Sequence, residues 1–446
     1  MVFYGYWNIP YLGLLLCSLS INFVVGKRLS ARPSRVLLSC GLVFNLSLLA
    51  YFKYTDFAIE NLNAAFGQDL SLLHILLPLG ISFFTFQKIG YLVDCYRGLV
   101  DEHDPRRFML FVLFFPQLIA GPIVHHAEII PQLKKHQDRP VPNSKLIAQG
   151  LFFIVIGLFK KVLIADSIGA YADLGFSRVA ELTFIDAWTT ALAYSLQLFF
   201  DFSAYSEIAV GLALLFGIRL PQNFNSPYKA TSITDFWRRW HISMTSWFRD
   251  YVYFSLGGSR CAPWRHYLNI VIVFVCSGLW HGADWRYLAW GLFTGLLAAF
   301  GVMTARARQR INRYNPLYRM GWFKVFWQCL FTNALFCLTL VFFASAIYNT
   351  DPFAVYGSLL QGWDGLTGSW AQVSNLIYSS GIDGRLPVVL LFGCFVVFAA
   401  EHKGRSVARW IRQQVWPLRW TLYYGMAAAI LFFAAFGQSA FIYQQY

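Results

Sequence analysis

Apolar runs long enough to cross a bilayer recur from one end of the chain to the other, separated by polar connections that hold most of the charge. A helix rises about 1.5 Å per residue, so roughly 20 apolar residues match a hydrocarbon core of about 30 Å. The pattern predicts ten spans, at 10–26, 36–54, 72–92, 146–165, 185–203, 267–281, 287–303, 323–347, 386–402 and 419–438. Two further apolar stretches predict re-entrant elements. One is 108–124, interrupted by Pro116, Gly121 and Pro122; the other is 204–218, joined to the fifth span through Asp201, Ser203, Ser206 and Glu207. Such backbone must be shielded by protein or line water. The expected fold is an all-α polytopic membrane protein, with about ten transmembrane helices plus re-entrant and interfacial helices, forming a single membrane-embedded domain over residues 1–446.

Composition sharpens this. With 57% apolar and 13% charged residues the chain has too little polar surface to cover a soluble globule. The net charge of +14 does not point to nucleic acid, because the basic residues sit between apolar runs, where their partner is membrane lipid. The connections 27–35, 92–107, 125–145, 219–266, 303–324 and 403–419 hold 29 of the 36 Lys and Arg. The positive-inside rule puts those connections in the cytoplasm and both termini outside it. Met1 to Ile9 has no basic n-region, so the first run reads as a span and not as a cleaved signal. Six of the eight cysteines lie in apolar runs and the other two, Cys95 and Cys261, in basic loops. Neither a disulfide framework nor a CxxC metal site is implied.

Two stretches stand out chemically. Asp235 to Tyr251, DFWRRWHISMTSWFRDY, reads as one helix with Phe236, Trp237, Trp240, Met244, Trp247, Phe248 and Tyr251 on one face, Arg238 and Arg249 opposite, and His241 at the margin. A plain interfacial helix with solvated arginines would show the same pattern. Ser277 to Trp285, SGLWHGADW, puts His281 in a polar turn after only about 14 apolar helical residues, or roughly 21 Å, and so beneath the outer membrane surface. A histidine at that depth is a functional candidate by default, against the alternative that it only bonds neighbouring helices. Lys88, Lys160, Lys161, Asp201, Glu207 and Gln197 also lie in apolar context, and pairing such as Lys160 or Lys161 with Asp166 or Asp201 accounts for them structurally. No GxSxG, phosphate loop or dinucleotide fingerprint occurs.

The segments PLGISFFTFQ (78–87), FFPQLIAGPI (114–123), DFSAYSEIAVGLALLFGI (201–218), PQNFNSPYKATSITDFWRRWHIS (221–243), RDYVYFSLGG (249–258) and GLWHGADW (278–285) resemble the membrane-bound O-acyltransferase family, in its bacterial alginate O-acetyltransferase branch. The resemblance covers about residues 78–290. It implies paired catalytic histidines at His241 and His281, with His281 at the usual catalytic position. It further implies transfer of an acyl group, acetyl in the first instance, from a cytoplasmic thioester such as acetyl-CoA towards an extracytoplasmic polysaccharide such as alginate. The setting would be a bacterial inner membrane, with an acyltransferase partner in the periplasm or outside the cell, and no bound cofactor. Ala204 stands where the family commonly has Gly, His125 where it has a basic residue, and Thr294 and Gly295 where a His-Gly pair closes the motif. The ending FIYQQY also differs from the more aromatic one often seen.

Within that chemistry a hydroxyl needs a positioned base, a role that fits His281, while His241 or a backbone amide would stabilise the oxyanion. Lys229, Arg238, Arg239, Arg249, Arg260 and Arg265 would hold the phosphates of the donor, solvated positive-inside residues being the alternative for each. Tyr446 carries a phenol on what the topology makes an external tail and is a candidate acyl relay, against a tail that is merely an interfacial anchor. A polytopic transporter or a nonenzymatic subunit of a polysaccharide secretion complex are the other classes. The first predicts paired half-structures, of which the sequence has no trace, and the second a dispensable His281.

Overall fold

Local chemistry fixes where the first helices begin and end. In α1 (Ile9–Ala31) the Asn8 side chain accepts from the Tyr11 N–H and Pro10 sits in the first turn; Pro33 follows just past its end. Ser34 caps α2 (Arg35–Phe66), which stops at Gly67 with φ 62°. The computed structural model describes residues 2–100, 103–118, 121–138, 143–314, 320–361 and 413–433, with Leu391, Phe395, Trp410 and Ile411. The protein is an all-α polytopic membrane protein; among the described residues there is no strand, and six helices are long and apolar enough to cross a membrane.

The predicted third span, 72–92, differs. Residues 68–80 are non-helical, and α3 runs Ile81–Tyr96. Pro78 and Gly80 explain the shift. Gly80 adopts φ 70°, and a Cβ there would collide with the Leu118 carbonyl oxygen. The stretch 108–124 is broken as its prolines predict, into Pro105–Leu113 and Phe115–Leu118. The fourth span is α4 (Ser144–Phe159), continued through a π turn, Lys160–Ala165, into α5 (Asp166–Ser177). The second expected re-entrant element does not exist: 185–203 and 204–218 form one 32-residue helix, α6 (Phe184–Leu215). Its polar centre is no break, because those side chains find partners sideways. Lys161 Nζ lies 2.7 Å from Asp201 and 2.9 Å from Asp166, and Lys160 Nζ lies 2.9 Å from Glu207. Farther on come α7 (Pro263–His281), α8 (Trp285–Met303), the basic α9 (Ala305–Tyr314), α10 (Gly321–Tyr348) and α11 (Trp416–Phe433). The ninth predicted span, 386–402, lies outside the described residues apart from Leu391 and Phe395, as does Tyr446.

The chain divides into two compact units. One comprises Met1–Leu151, Ala209–Gln222 and Ser246–Val252. Within it α1 and α2 are joined by a reciprocal amide pair, Asn45 Nδ2 to Asn22 Oδ1 at 2.6 Å and Asn22 Nδ2 to Asn45 Oδ1 at 3.2 Å, both residues buried. Each amide satisfies the other where lipid cannot. Lys88 on α3 donates to Ser18 Oγ at 2.6 Å and lies over the Phe84 ring, so this buried lysine is held by a hydroxyl and a π face. The same unit gathers Asp94, His125 and Tyr251, whose hydroxyl donates to Asp94 at 2.8 Å and lies 2.9 Å from His125 Nδ1.

The other unit comprises Phe152–Ile208, Asn223–Thr245 and Tyr253–Tyr446. At its centre α7 and α8 approach backbone to backbone. A Cβ on Gly278 would strike the Tyr287 carbonyl oxygen, and one on Gly291 the Phe274 carbonyl oxygen. Small residues at such a crossing let dispersion contacts replace the hydrophobic drive that lipid removes.

Candidate active site

The periodicity of residues 235–251 predicts one helix, but the chain builds two short ones, Ile233–Trp237 and Ile242–Phe248, followed by a π turn over Arg249–Tyr253. The interruption has identifiable causes. The Asn225 N–H donates to the Arg239 carbonyl, and the Ile242 N–H to the Asn223 carbonyl, both at 2.9 Å, so the loop 223–225 takes groups that a continuous helix would have bonded internally. His241 turns the corner at φ 43°, a left-handed conformation uncommon for a residue with a Cβ. Instead of lying at the margin of an apolar face, His241 is wholly buried.

Asn223 is the hub of this corner. Its Oδ1 accepts from the Ser243 N–H (3.2 Å) and the Ser243 hydroxyl (2.9 Å) and lies 3.1 Å from His241 Nδ1, while its Nδ2 donates to Ser206 on α6 (3.2 Å). The Phe202 ring packs edge-on to His241, centroids 4.6 Å apart. Burial pushes the His241 imidazolium well below the usual histidine range, which leaves the ring neutral near pH 7.

His281 is the last residue of α7, where the negative end of the helix dipole favours a basic side chain. It is 5% exposed, among three aromatic rings: Trp280 (4.9 Å), Trp290 of α8 (5.1 Å, nearly perpendicular) and Phe343 of α10 (5.1 Å). The Trp280 ring lies 6.2 Å from His241 as well, so the two imidazoles flank one indole. Ser277, one turn before His281, reaches Met244 of the short second helix at 4.0 Å and ties α7 to the segment that carries His241. The sequence-predicted pair therefore comes together. Two buried groups of α8, Trp290 Nε1 beside His281 and Thr294 Oγ1 one turn further along, have no hydrogen-bond partner among the described residues.

After His281 the chain turns through Gly282, where any Cβ would run into the Tyr287 ring, and is clamped by Arg286. That guanidinium binds Asp284 through two nitrogens (2.6 and 2.9 Å) and donates to the Ser345 carbonyl (2.8 Å) and Asn349 (3.1 Å) at the end of α10. Burial raises the Asp284 pKa, but the hydrogen bonds from Arg286 outweigh it and hold the carboxyl below its ordinary value. The sign follows: the clasp is intact above the ordinary aspartate range and weakens only as pH falls through the depressed value. Arg286→Ala is expected to lower stability by about 1–2 kcal/mol, the clasp being half-exposed. A reduced thermal midpoint in detergent, restored in part by Arg286→Lys, would be the sign; an unchanged midpoint would make the clasp idle.

The predicted donor-binding residues are in different states. Arg239 is bound to Asp235 (2.9 Å) and the Asn225 carbonyl, and Lys229 is half-buried in the 3₁₀ turn Pro227–Lys229. Arg249, in the other unit, forms a two-point pair with Asp250 (2.8 and 3.0 Å). Arg238 is exposed and pairs with no carboxylate among the described residues. In the sequence Asn223 is marked only as part of the segment 221–243. Its partner lies 18 residues away across a 3₁₀ turn and a short helix, so no single element sets the two in register.

The profile of the membrane-bound O-acyltransferase family matches residues 102–342, more than half of the chain. The chain belongs to that family. Both histidines lie inside the matched segment. A peptidoglycan O-acetyltransferase of Helicobacter pylori is 46% identical over 325 residues, which cover 66% of this chain and 62% of that protein. A probable alginate O-acetylase of Pseudomonas aeruginosa is 42% identical over 327 residues (71% and 62%). A teichoic acid D-alanyltransferase of Bacillus subtilis is 32% identical over 227 residues (49% and 57%). The chain thus spans about three-fifths of the length of these family members.

Proposed function

We propose that this chain is a membrane O-acetyltransferase, which moves an acetyl group from a cytoplasmic thioester to a hydroxyl of an extracytoplasmic polysaccharide. What supports this reading most is the pair of buried imidazoles flanking Trp280, with His281 at the end of a membrane helix. The names of the related proteins supply the chemistry: two are O-acetyl transferring enzymes whose named acceptors are polysaccharides. The charge asymmetry of the connections supports a bacterial inner membrane location with both termini outside the cytoplasm. We treat residues 1–446 as one acyltransferase domain, and delivery to the polymer is completed in this reading by an extracytoplasmic acyltransferase partner.

The reaction balances without an added reagent. The acceptor oxygen attacks the thioester carbonyl carbon, His281 takes the hydroxyl proton, the C–S bond breaks, and the proton passes to the departing thiolate, leaving an ester and a thiol. Purified protein incubated with radiolabelled acetyl-CoA and an unacetylated alginate oligosaccharide should release free thiol and labelled ester in step. Transport of the oligosaccharide with no ester formed would favour the transporter class. For donor binding, Arg238→Ala should raise the KM for acetyl-CoA more than it lowers kcat, by the roughly 1.5–3 kcal/mol of a charge-assisted hydrogen bond. An unchanged KM would assign Arg238 to the lipid headgroups.

A further inference from the structure

The hydrogen bonds around Asn223 fix something that the histidine pair alone leaves open, namely which nitrogen of His241 carries the proton. A backbone N–H can only donate. Because the Ser243 N–H points at one end of the Asn223 amide, that end is the oxygen. The other end donates to Ser206 Oγ, which agrees. The atom facing His241 Nδ1 at 3.1 Å is that same oxygen, so the ring nitrogen must be the donor.

We infer that Asn223 is a positioning residue that locks His241 as the Nδ1–H tautomer, so that His241 serves acyl transfer as an acceptor at Nε2 and not as the oxyanion donor. This deepens the proposed function and rests on it for its chemical meaning, although the tautomer itself does not. A neutral imidazole protonated at Nδ1 has no N–H at Nε2 to offer a developing negative charge. The expectation that His241 stabilises the oxyanion is therefore replaced. Its Nε2 lone pair instead holds a neighbouring hydroxyl of a polyhydroxylated acceptor while His281 takes the proton of the attacking one. The thioester oxyanion then needs another donor, and the buried Trp290 indole N–H, packed against His281, is of the right chemistry. Three features make the lock stiff: Asn223 is buried, its own carbonyl is bonded to Ile242 N–H, and the ring is pinned edge-on by Phe202.

The test uses full-length protein labelled with ¹⁵N-histidine, with His241→Gln identifying the resonances. His241 should show a protonated Nδ1 and an unprotonated Nε2. Asn223→Leu should lose that signature and raise the KM for an unacetylated alginate oligosaccharide about tenfold, equivalent to about 1.4 kcal/mol, with the acetyl-CoA KM unmoved. Asn223→Asp keeps an acceptor oxygen and should restore the signature and most of the acceptor affinity. A protonated Nε2 in the unaltered protein, or an Asn223→Leu spectrum identical to it, overturns the lock. Equal changes in both KM values would reduce Asn223 to a structural residue. The expected tautomer in a protein that transfers no acetyl group would leave the lock standing and sink the proposed function. If Asn223→Leu fails to fold, the unaltered and Asn223→Asp spectra still decide.

Discussion

His281→Gln should leave the protein folded in the membrane and lower kcat for acetyl transfer at least about 10²-fold, since a positioned base contributes typically 10²–10⁴-fold. On the rate scale the lower limit is about 2.7 kcal/mol of barrier. Gln is the better replacement than Ala, because the imidazole fills space between Trp280, Trp290 and Phe343 and truncation would leave a cavity among them. The donor KM should stay within about twofold, as expected of a group that acts in the transition state. Size-exclusion elution and thermal midpoint separate the two roles. A variant that elutes normally yet transfers nothing supports the base, whereas undiminished turnover would leave His281 a packing residue and put the base elsewhere.

Gly291→Val is expected to have the larger effect on the fold. The obstacle to its side chain is the Phe274 carbonyl, a backbone atom that cannot rotate aside, and Gly278 faces the Tyr287 carbonyl across the same crossing. Overpacking typically costs about 1–3 kcal/mol even where side chains can yield. Here α7 and α8 must separate, and His281 at the end of α7 moves away from Trp290. Loss of folded protein from the membrane fraction is the expected outcome. Gly357→Val, at a position with open space around it, is the control and should accumulate normally. Equal accumulation of the two would show that the crossing tolerates a wider separation.

How much of this was legible beforehand depends on the range of the interaction concerned. Spans such as α1, α2 and α10 could be read because lipid imposes one length and one composition. His281 stood out because its polar turn contradicts its apolar surroundings. The errors have another origin. Asp201 and Glu207 looked like a break in α6 because their lysine partners sit some 40 residues earlier, and a carboxylate without its partner resembles a loop. The aromatic periodicity of 235–251 was real, and Phe236, Trp237, Trp240, Met244, Trp247, Phe248 and Tyr251 are all buried. The prediction failed at Arg238–His241, where Asn223 and Asn225 intervene from outside the segment, and backbone competition of that kind leaves no mark on side-chain pattern.

The lysine pair of the π turn also constrains how the protein can be made. Lys160 and Lys161 emerge from the ribosome before α6 exists, and each costs roughly 2.5–3.5 kcal/mol to insert at the centre of a span. Asp166 travels with them and offsets one cation at once. The other waits for Glu207, and Asp201 completes the set. Lateral release of α4 from the translocon into lipid is therefore expected to be coupled to the arrival of α6, which carries the carboxylates that the remaining cation needs.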